Sequence, residues 1–245
     1  MDENTCWFKN WFDSKYYHIL YQHHDLNEAS VLINELLNFF QPNKEAKFWD
    51  LCCGKGRHSI YINSKGFDVT GTDLSFENIK CASQYEKDNL RFYQHDMRTP
   101  FSANYFDFVF NLFTSFGYFE NKRDDLKVFS SVKNALKKDG CFVLDYLNTT
   151  KTIQSLIPFE EKKMNGITFS ISKTLENNFI LKQIKIDDRG KKLHFYEKVK
   201  LLNLNDFEQL GEKTGFELTN VFGDYTLAKF APEYSERLIL VYKKI

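Results

Sequence analysis

The chain has 245 residues, of which 42% are hydrophobic and 27% charged, a composition typical of a soluble globular protein with one large domain or one domain plus a small appendage. Its 33 basic and 33 acidic residues cancel, and the lack of a basic surplus argues against a nucleic-acid substrate. No run of 18 apolar residues and no signal-peptide pattern occurs, so the sequence predicts no membrane segment. Five cysteines without zinc-ligand spacing predict reduced thiols and a cytoplasmic location.

Residues 1–44 are predicted to form a helical arm. Aromatic residues crowd positions 7–24, as in short helices that pack on a domain or cover a binding site. Asp25 is the expected cap of a following helix. The apolar stripe of that helix is predicted to be Val31, Leu32, Leu36, Phe39 and Phe40. His23 and His24 are adjacent and would not face the same ion, so no metal site is predicted.

A strand, a glycine turn and a helix follow the arm. A short apolar run (Ala46, Phe48, Trp49, Leu51, Cys52) ends at Gly54, and a helix-compatible stretch begins at Arg57. Gly54 and Gly56 permit positive φ and leave bare backbone beside a helix N-terminus, whose free N–H groups favour an anionic ligand. This pattern indicates a cofactor site, and nucleotide-binding dehydrogenases share it.

The segment Asp50-Leu-Cys-Cys-Gly-Lys-Gly56 resembles the first motif of class I S-adenosylmethionine-dependent methyltransferases, with Cys52 where the first glycine usually stands. The resemblance implies an α/β fold with a Rossmann-like, seven-stranded, mostly parallel sheet and a reversed terminal strand. It also implies S-adenosylmethionine as cofactor, with Asp50, Cys52 and Gly54 in its site. Tyr21, by its place before a helix, resembles an arm tyrosine that contacts the cofactor's methionine end in small-molecule members.

Two successive strands beyond the glycine turn end in acids. Asp73 ends the strand 67–73, and Asp96 ends the strand at 90–97. Because the carboxyl ends of parallel strands meet at one edge, both acids are expected to face the crevice of Gly54. A carboxylate suits the two hydroxyls of a ribose, although Asp73 could instead cap the next helix, a role for which Ser75 competes.

The resemblance assigns further cofactor contacts at these strand ends. Leu74 would pack near the adenine, Asp96 would accept a hydrogen bond from the adenine amino group, and Met97 would cover the ring. Asn111, at the end of the fourth strand (105–111), and Leu112 would back the methionine portion of the cofactor.

The loop after the fourth strand resembles that of enzymes that methylate small metabolites. It lacks the Pro-Pro motif of amino-methylating DNA enzymes, and the chain lacks the Pro-Cys pair of cytosine carbon methyltransferases. Ser115, Phe116 and Tyr118 would face the acceptor. A helix over 122–138, stopped by Asp139-Gly140, and a fifth strand over 141–148 follow, and Tyr146 at the end of that strand is predicted to line the acceptor side.

The pattern changes at residues 157–202, where three or four strand-like runs alternate with turn signals. Apolar and polar residues alternate along them, as in an antiparallel sheet with one buried face, and Glu197 interrupts that alternation. We expect this sheet to be inserted over the active site of a cofactor-binding domain formed by 45–156 and 203–245. A helix over 205–215 and two final strands without a crossover helix complete the chain.

The inserted sheet narrows the resemblance to sugar amine N-methyltransferases, in which a pair similar to Tyr196-Glu197 occurs. The implied function is N- or O-methylation of a small-molecule acceptor by direct displacement, which requires alignment and exclusion of water but neither metal nor covalent nucleophile. Tyr118, Tyr146 and His194 are candidate bases, and none is assigned as catalytic. The alternatives are a non-catalytic S-adenosylmethionine-binding module and a nucleotide-dependent oxidoreductase. An exposed edge of the inserted sheet could also support a homodimer.

Overall fold

The computed structural model describes residues 7–22 and 26–245, with only the backbone of residues 26–29. The predicted cap Asp25 and the adjacent His23 and His24 therefore lie outside the described residues. The arm comprises three helices: α1 (Trp7–Phe12), α2 (Lys15–Leu20) and α3 (Leu26–Phe40). Ser14 caps α2, its hydroxyl accepting the backbone N–H of Tyr17 at 3.2 Å.

Strands and helices alternate through the next hundred residues, as predicted. In chain order they are β1 (Lys47–Leu51), α4 (Arg57–Ser64), β2 (Asp68–Asp73), α5 (Phe76–Ala82), a 3-10 turn (Ser83–Tyr85), β3 (Leu90–Gln94), β4 (Phe106–Asn111), α6 (Lys122–Ala135), β5 (Leu136–Leu147) and α7 (Thr149–Gln154). After the inserted sheet come α8 (Leu204–Thr214), β10 (Phe216–Phe222) and β11 (Arg237–Lys244).

The main sheet has seven strands in the order β10-β11-β5-β4-β1-β2-β3. Strands β1 to β5 are parallel, and β11 runs antiparallel to both of its neighbours. The class I methyltransferase fold with its reversed terminal strand is therefore confirmed. Because β1 to β4 all point the same way, their carboxyl ends meet at one edge, where a ligand crevice is expected.

The second sheet is separate and antiparallel, with the strands β6 (Phe159–Met164), β7 (Ile167–Glu176), β8 (Phe179–Asp188) and β9 (Lys191–Lys200) in sequential order. Its three turns fall at Asn165-Gly166, Asn177-Asn178 and Arg189-Gly190, and all six residues have positive φ. Five of the six are glycine or asparagine, which tolerate this backbone, and this explains why the turn signals located these strands well.

Two local predictions were wrong. Helix α6 ends at Ala135, and β5 already begins at Leu136, because Leu136 is buried and pairs with Phe106. Asp139-Gly140 lies in a bulge of this strand instead of stopping a helix. In α3 the buried positions are Leu32, Ile33 and Leu36, whereas Val31 and Phe39 of the predicted stripe are exposed.

Apolar side chains pack on both faces of the main sheet. Helices α1, α2, α6 and α8 and the inserted sheet share one core with residues such as Trp49 and Leu144, while α3, α4 and α5 cover the opposite face around Phe48 and Val143. Alternation along β1 and β5 sends successive side chains to these two cores. Over residues 7–22 and 26–245, no helix has the length and apolar character that crossing a bilayer requires.

Candidate active site

The glycine turn lies where β1 passes into α4. Cys52, Gly54 and Gly56 have φ of +64°, +56° and +82°. A side chain added at Gly56 would meet the ring of Phe92 at 2.7 Å, so this glycine is required by packing, whereas Gly54 faces open space. Cys52, at the position of the family's usual glycine, adopts the left-handed backbone that glycine adopts without strain.

Asp73 faces this turn. One carboxylate oxygen accepts the N–H of Gly54 at 2.9 Å and the other accepts the N–H of Ser75 at 2.8 Å. The helix cap of α5 is Ser75, whose hydroxyl accepts the N–H of Asn78 at 3.0 Å, so capping does not explain Asp73. A carboxylate offers about four acceptor positions, which leaves room for ligand hydroxyls. Burial raises the pKa of Asp73, and its hydrogen bonds oppose that shift.

Leu74, Asp96 and Met97 line the same cavity as Asp73. The carboxylate of Asp96 is held by the guanidinium of Arg98, at 3.0 Å from Nε and 2.6 Å from Nη2. Burial raises the pKa of Asp96, but the hydrogen bonds and charge of Arg98 outweigh it, so that the pKa lies below its usual value. Met97 is buried, with Sδ 3.6 Å from Sγ of Cys52.

A cavity of about 770 Å³ runs from the glycine turn to the inserted sheet. It joins the carboxyl ends of β1 to β4 at one side to β7, β8 and β9 at the other. The predicted residues that line it are Tyr21, Cys52, Gly54, Asp73, Leu74, Asp96, Met97, Leu112, Ser115 and Tyr118. The volume lies within the range of small-molecule sites.

The arm covers this cavity and contacts both of its ends. At the cofactor end, the hydroxyl of Ser75 donates to the carboxylate of Asp13. At the other end, Nε1 of Trp11 and the hydroxyl of Tyr21 both donate to Oε1 of Glu197 on β9, each at 2.7 Å. Helices α1 and α2 therefore form a roof that is tied to the inserted sheet.

Glu197 belongs to a charged group within an otherwise aromatic part of the cavity. Lys182 on β8 lies 3.4 Å from Oε2 of Glu197 and contacts the hydroxyl of Tyr21. The aromatic walls include Tyr17 and Tyr118, and burial raises the pKa of both phenols above the usual range. These hydroxyls thus remain neutral hydrogen-bonding groups at physiological pH.

The loop after β4 has a strained backbone. Phe113 and Thr114 have φ of +58° and +57°, a conformation that non-glycine residues rarely adopt and that clusters at functional sites. Buried Asp145 fixes this loop by accepting the N–H of Phe113 at 2.8 Å. Arg237 on β11 connects this loop to β5. It pairs with Asp145 and donates to the hydroxyl of Thr114, each at 2.8 Å.

Three predicted site residues do not line the cavity. Asp50 is buried and accepts both the N–H and the hydroxyl of Ser59 at 3.1 and 2.6 Å, so it ties β1 to α4 beneath the turn. Burial raises the pKa of Asp50 to about 6. Asn111 is buried and donates to the carbonyl of Leu51 at 3.0 Å, which holds β4 against β1. Tyr146 points into the core, where its hydroxyl donates to the carbonyl of Lys200 at 2.7 Å.

Two other expectations about the acceptor side are also corrected. Phe116 is fully buried against Phe129 and Phe207 instead of facing an acceptor. His194, a candidate base, is exposed and pairs with Lys185 in the register of β8 and β9, away from the cavity. Of the three candidate bases, only Tyr118 reaches the cavity.

The cavity wall fits a ligand with a polar adenosyl end. Besides Asp73, the lining residues include His58, whose Nε2 atom is buried and has no hydrogen-bond partner among the described residues. Burial lowers the pKa of His58 to about 3, so its ring is neutral. The open space beside Gly54 allows a ligand to approach the backbone closely.

The sheet order, the glycine turn and the strand-end acids agree with the fold and site expected of class I S-adenosylmethionine-dependent methyltransferases. Residues 48–140 match the family model described as a methyltransferase domain. The chain is accordingly an S-adenosylmethionine-dependent methyltransferase with S-adenosylmethionine as its cofactor.

Individual relatives agree with this assignment. The chain is 29% identical over 215 residues to YqeM of Bacillus subtilis (strain 168), named as a presumed methyltransferase, and the match covers 82% of this chain and 85% of that protein. An S-adenosylmethionine-dependent methyltransferase from Clostridium acetobutylicum ATCC 824 has a TM-score of 0.79 at 20% identity, covering 96% of this chain and 98% of that one. CalS10, an amino pentose methyltransferase from Micromonospora echinaspora, has a TM-score of 0.71 at 16% identity. The match covers 95% of this chain and 98% of CalS10.

Several residues of the cavity wall are not among the predicted site residues. Tyr17, Lys173, Lys182 and Glu197 all line it. The signal for Glu197 was present, because an acid interrupts the apolar alternation of β9. Lys173 gives the same signal on β7, where it follows the alternating series Ile167, Phe169 and Ile171.

Proposed function

We propose that the protein methylates a nitrogen or oxygen atom of a small-molecule acceptor by direct displacement. One observation carries this proposal: a single cavity of about 770 Å³ extends from the cofactor-type turn to the charged group around Glu197. The arm roofs the cavity, which leaves a compartment suited to a metabolite and not to a folded macromolecule.

The cofactor end of the cavity suggests roles for its residues. Asp73 has acceptor capacity for ribose hydroxyls, Leu74 and Met97 offer apolar cover for the adenine, and Asp96 offers a carboxylate to the adenine amino group. The backbone at Gly54 and the ring of Tyr17 are suitably placed for the methionine portion. In this scheme Asp50 and Asn111 act indirectly, because they fix the turn and the strand end on which the contacts depend.

The chemistry asks little of the protein beyond placement. S-adenosylmethionine supplies a methyl group on an already activated sulfonium. Tyr17, Tyr118 and the roof helices exclude water, which favours displacement over competing hydrolysis. Among the described lining residues, Glu197 is the carboxylate that the inserted sheet contributes, and it is suited to accept a hydrogen bond from the N–H or O–H of the acceptor and to take its proton.

The amino pentose enzyme CalS10 supports an amine as the acceptor group, since the two proteins share the fold over 95% of this chain and 98% of that one. We likewise propose that residues 1–44 and 157–202 act as arm and acceptor-covering insertion around the cofactor domain of 45–156 and 203–245.

A cytoplasmic location is supported by four free cysteines among the described residues. The homodimer remains a prediction, and the four successive charges 160–163 of edge strand β6 discourage pairing through that edge.

The test is a methyl-transfer screen with isotope-labelled cofactor and a panel of small amines and alcohols, read by mass spectrometry. We expect a single methylated small product and binding of S-adenosylmethionine by calorimetry. Label transferred only to proteins or nucleic acids would contradict the small-molecule proposal. Cofactor binding without any turnover would favour the non-catalytic alternative, and a preference for NAD would favour the oxidoreductase.

A further inference from the structure

The inner face of the inserted sheet carries one charged row between two apolar rows. The strand register places Lys173 opposite Lys182, and Lys182 opposite Glu197. All three residues line the cavity. The rows on either side are Leu175, Ile180 and Val199, and Ile171, Ile184 and Phe195.

Two cations therefore lie directly opposite each other in an antiparallel pair. Their side chains are only 24% and 14% exposed. Like charges in this arrangement destabilise a sheet, and the effect grows where water is scarce. The lysines have carboxylate partners on their outer sides, Glu160 at 2.8 Å from Lys173 and Glu197 at 3.4 Å from Lys182. Packing alone does not explain why both positions between Glu160 and Glu197 are lysines.

We propose that the acceptor carries an oxyanion, a carboxylate or a phosphate group, which binds between Lys173 and Lys182. This inference rests on the proposed function, because the row lies in the acceptor compartment. An oxyanion between two partly buried ammonium groups turns their repulsion into two charge-assisted hydrogen bonds. Lysine suits this role, since its compact charge sits on a flexible stem that can follow the ligand.

The row also sets the spacing of groups in such an acceptor. Neighbouring strands are about 5 Å apart, so a group bound at the lysines lies about 5–10 Å from one that contacts Glu197. The acceptor is thus a bifunctional small molecule, with an anionic group at the lysines and an N–H or O–H at Glu197.

A direct binding experiment tests the proposal without knowledge of the acceptor. The full chain is saturated with S-adenosylhomocysteine and titrated at constant ionic strength with inorganic phosphate, pyrophosphate or acetate. We expect millimolar binding of at least one probe, weakened at least fivefold in Lys173→Gln and in Lys182→Gln. The preferred probe then distinguishes a phosphate-bearing from a carboxylate-bearing acceptor.

Lys185→Gln is the matched control, because it removes one charge from the exposed outer face of β8. We expect its affinity for the probes to stay within twofold of the unchanged protein. Absence of binding by all three probes, or equal affinities in Lys173→Gln and Lys185→Gln, would overturn the proposal. Lys182 also contacts Tyr21, so Lys173→Gln decides the result if Lys182→Gln does not fold. Failure of S-adenosylhomocysteine to bind would instead count against the proposed function.

Discussion

The hydroxyl of Tyr21 donates to Oε1 of Glu197 at 2.7 Å and joins residues 176 positions apart in the chain. This contact connects the arm to the inserted sheet, and both residues line the cavity. A second carboxylate of the sheet acts in parallel, since Asp188 accepts the hydroxyl of Tyr16 at 2.9 Å. Tyr16 does not line the cavity. Substitutions at Tyr16 and Tyr21 can therefore separate docking of the arm on the inserted sheet from a role in the cavity.

Tyr21→Phe is expected to reduce kcat/KM for the acceptor about 10- to 100-fold, because it removes a hydrogen bond to a charged group worth about 1.5–3 kcal/mol. Cofactor affinity should change much less. The measurement is steady-state kinetics with the acceptor found in the methyl-transfer screen. Tyr16→Phe, the control, should leave kcat/KM within about threefold. Equal losses in both variants would show that Tyr21 serves only to dock the arm.

Asp73→Asn is expected to weaken binding of S-adenosylhomocysteine by about 100-fold or more. Both carboxylate oxygens of Asp73 accept backbone N–H groups, and the amide nitrogen of asparagine would face one of them as a donor. The loss should appear in titration calorimetry. Asp68→Asn, at the opposite end of the same strand, provides the control. Retained affinity in Asp73→Asn would exclude Asp73 from the cofactor site.

Sequence patterns predicted the succession of strands along the chain because each strand or turn carries a local signal. The turns of the inserted sheet have residues that tolerate positive φ, and Asp73 and Asp96 lie at the carboxyl ends of strand-like runs. A strand-end position specifies the edge of the sheet but not the face to which a side chain points. Tyr146 was therefore placed correctly at the active edge of β5 and wrongly in the cavity, since its side chain enters the core.

The acceptor side was harder to predict because it depends on contacts between distant segments. Lys182 contacts Tyr21 across 161 positions, and no local pattern links the two. A charged residue on an apolar face is the nearest sequence signal. That signal marks Glu197 and Lys173, but only the register of three strands shows that they form one row with Lys182.

Gly54→Ala and Gly56→Ala are expected to separate binding from stability. Each forces alanine into a left-handed backbone, at about 1–2 kcal/mol. Only Gly56→Ala also brings a methyl group within 2.7 Å of Phe92, so it should lower the free energy of unfolding further. Gly54→Ala places its methyl group in open space beside Asp73 and should chiefly weaken cofactor affinity. Urea unfolding and calorimetry measure the two effects, and equal destabilisation would contradict the packing argument.

Asp50 gives a pH dependence of stability whose sign is unusual for an acid. Its pKa of about 6 in the folded protein exceeds the value of about 3.9 in an unfolded chain, because burial disfavours the carboxylate. Between these two values the folded state binds more protons, so this group stabilises the fold at low pH and loses that contribution as the pH rises through about 6.

Asp50→Asn keeps the shape and an acceptor for Ser59 but removes the titration. Relative to the unchanged protein, its free energy of unfolding should therefore increase by up to about 3 kcal/mol between about pH 4 and pH 7. Urea unfolding at several pH values within this window measures the difference. A difference that stays constant with pH would show that Asp50 titrates alike in the folded and unfolded states. A difference of the opposite sign would mean that the hydrogen bonds from Ser59 outweigh burial and that the carboxylate stabilises the turn directly.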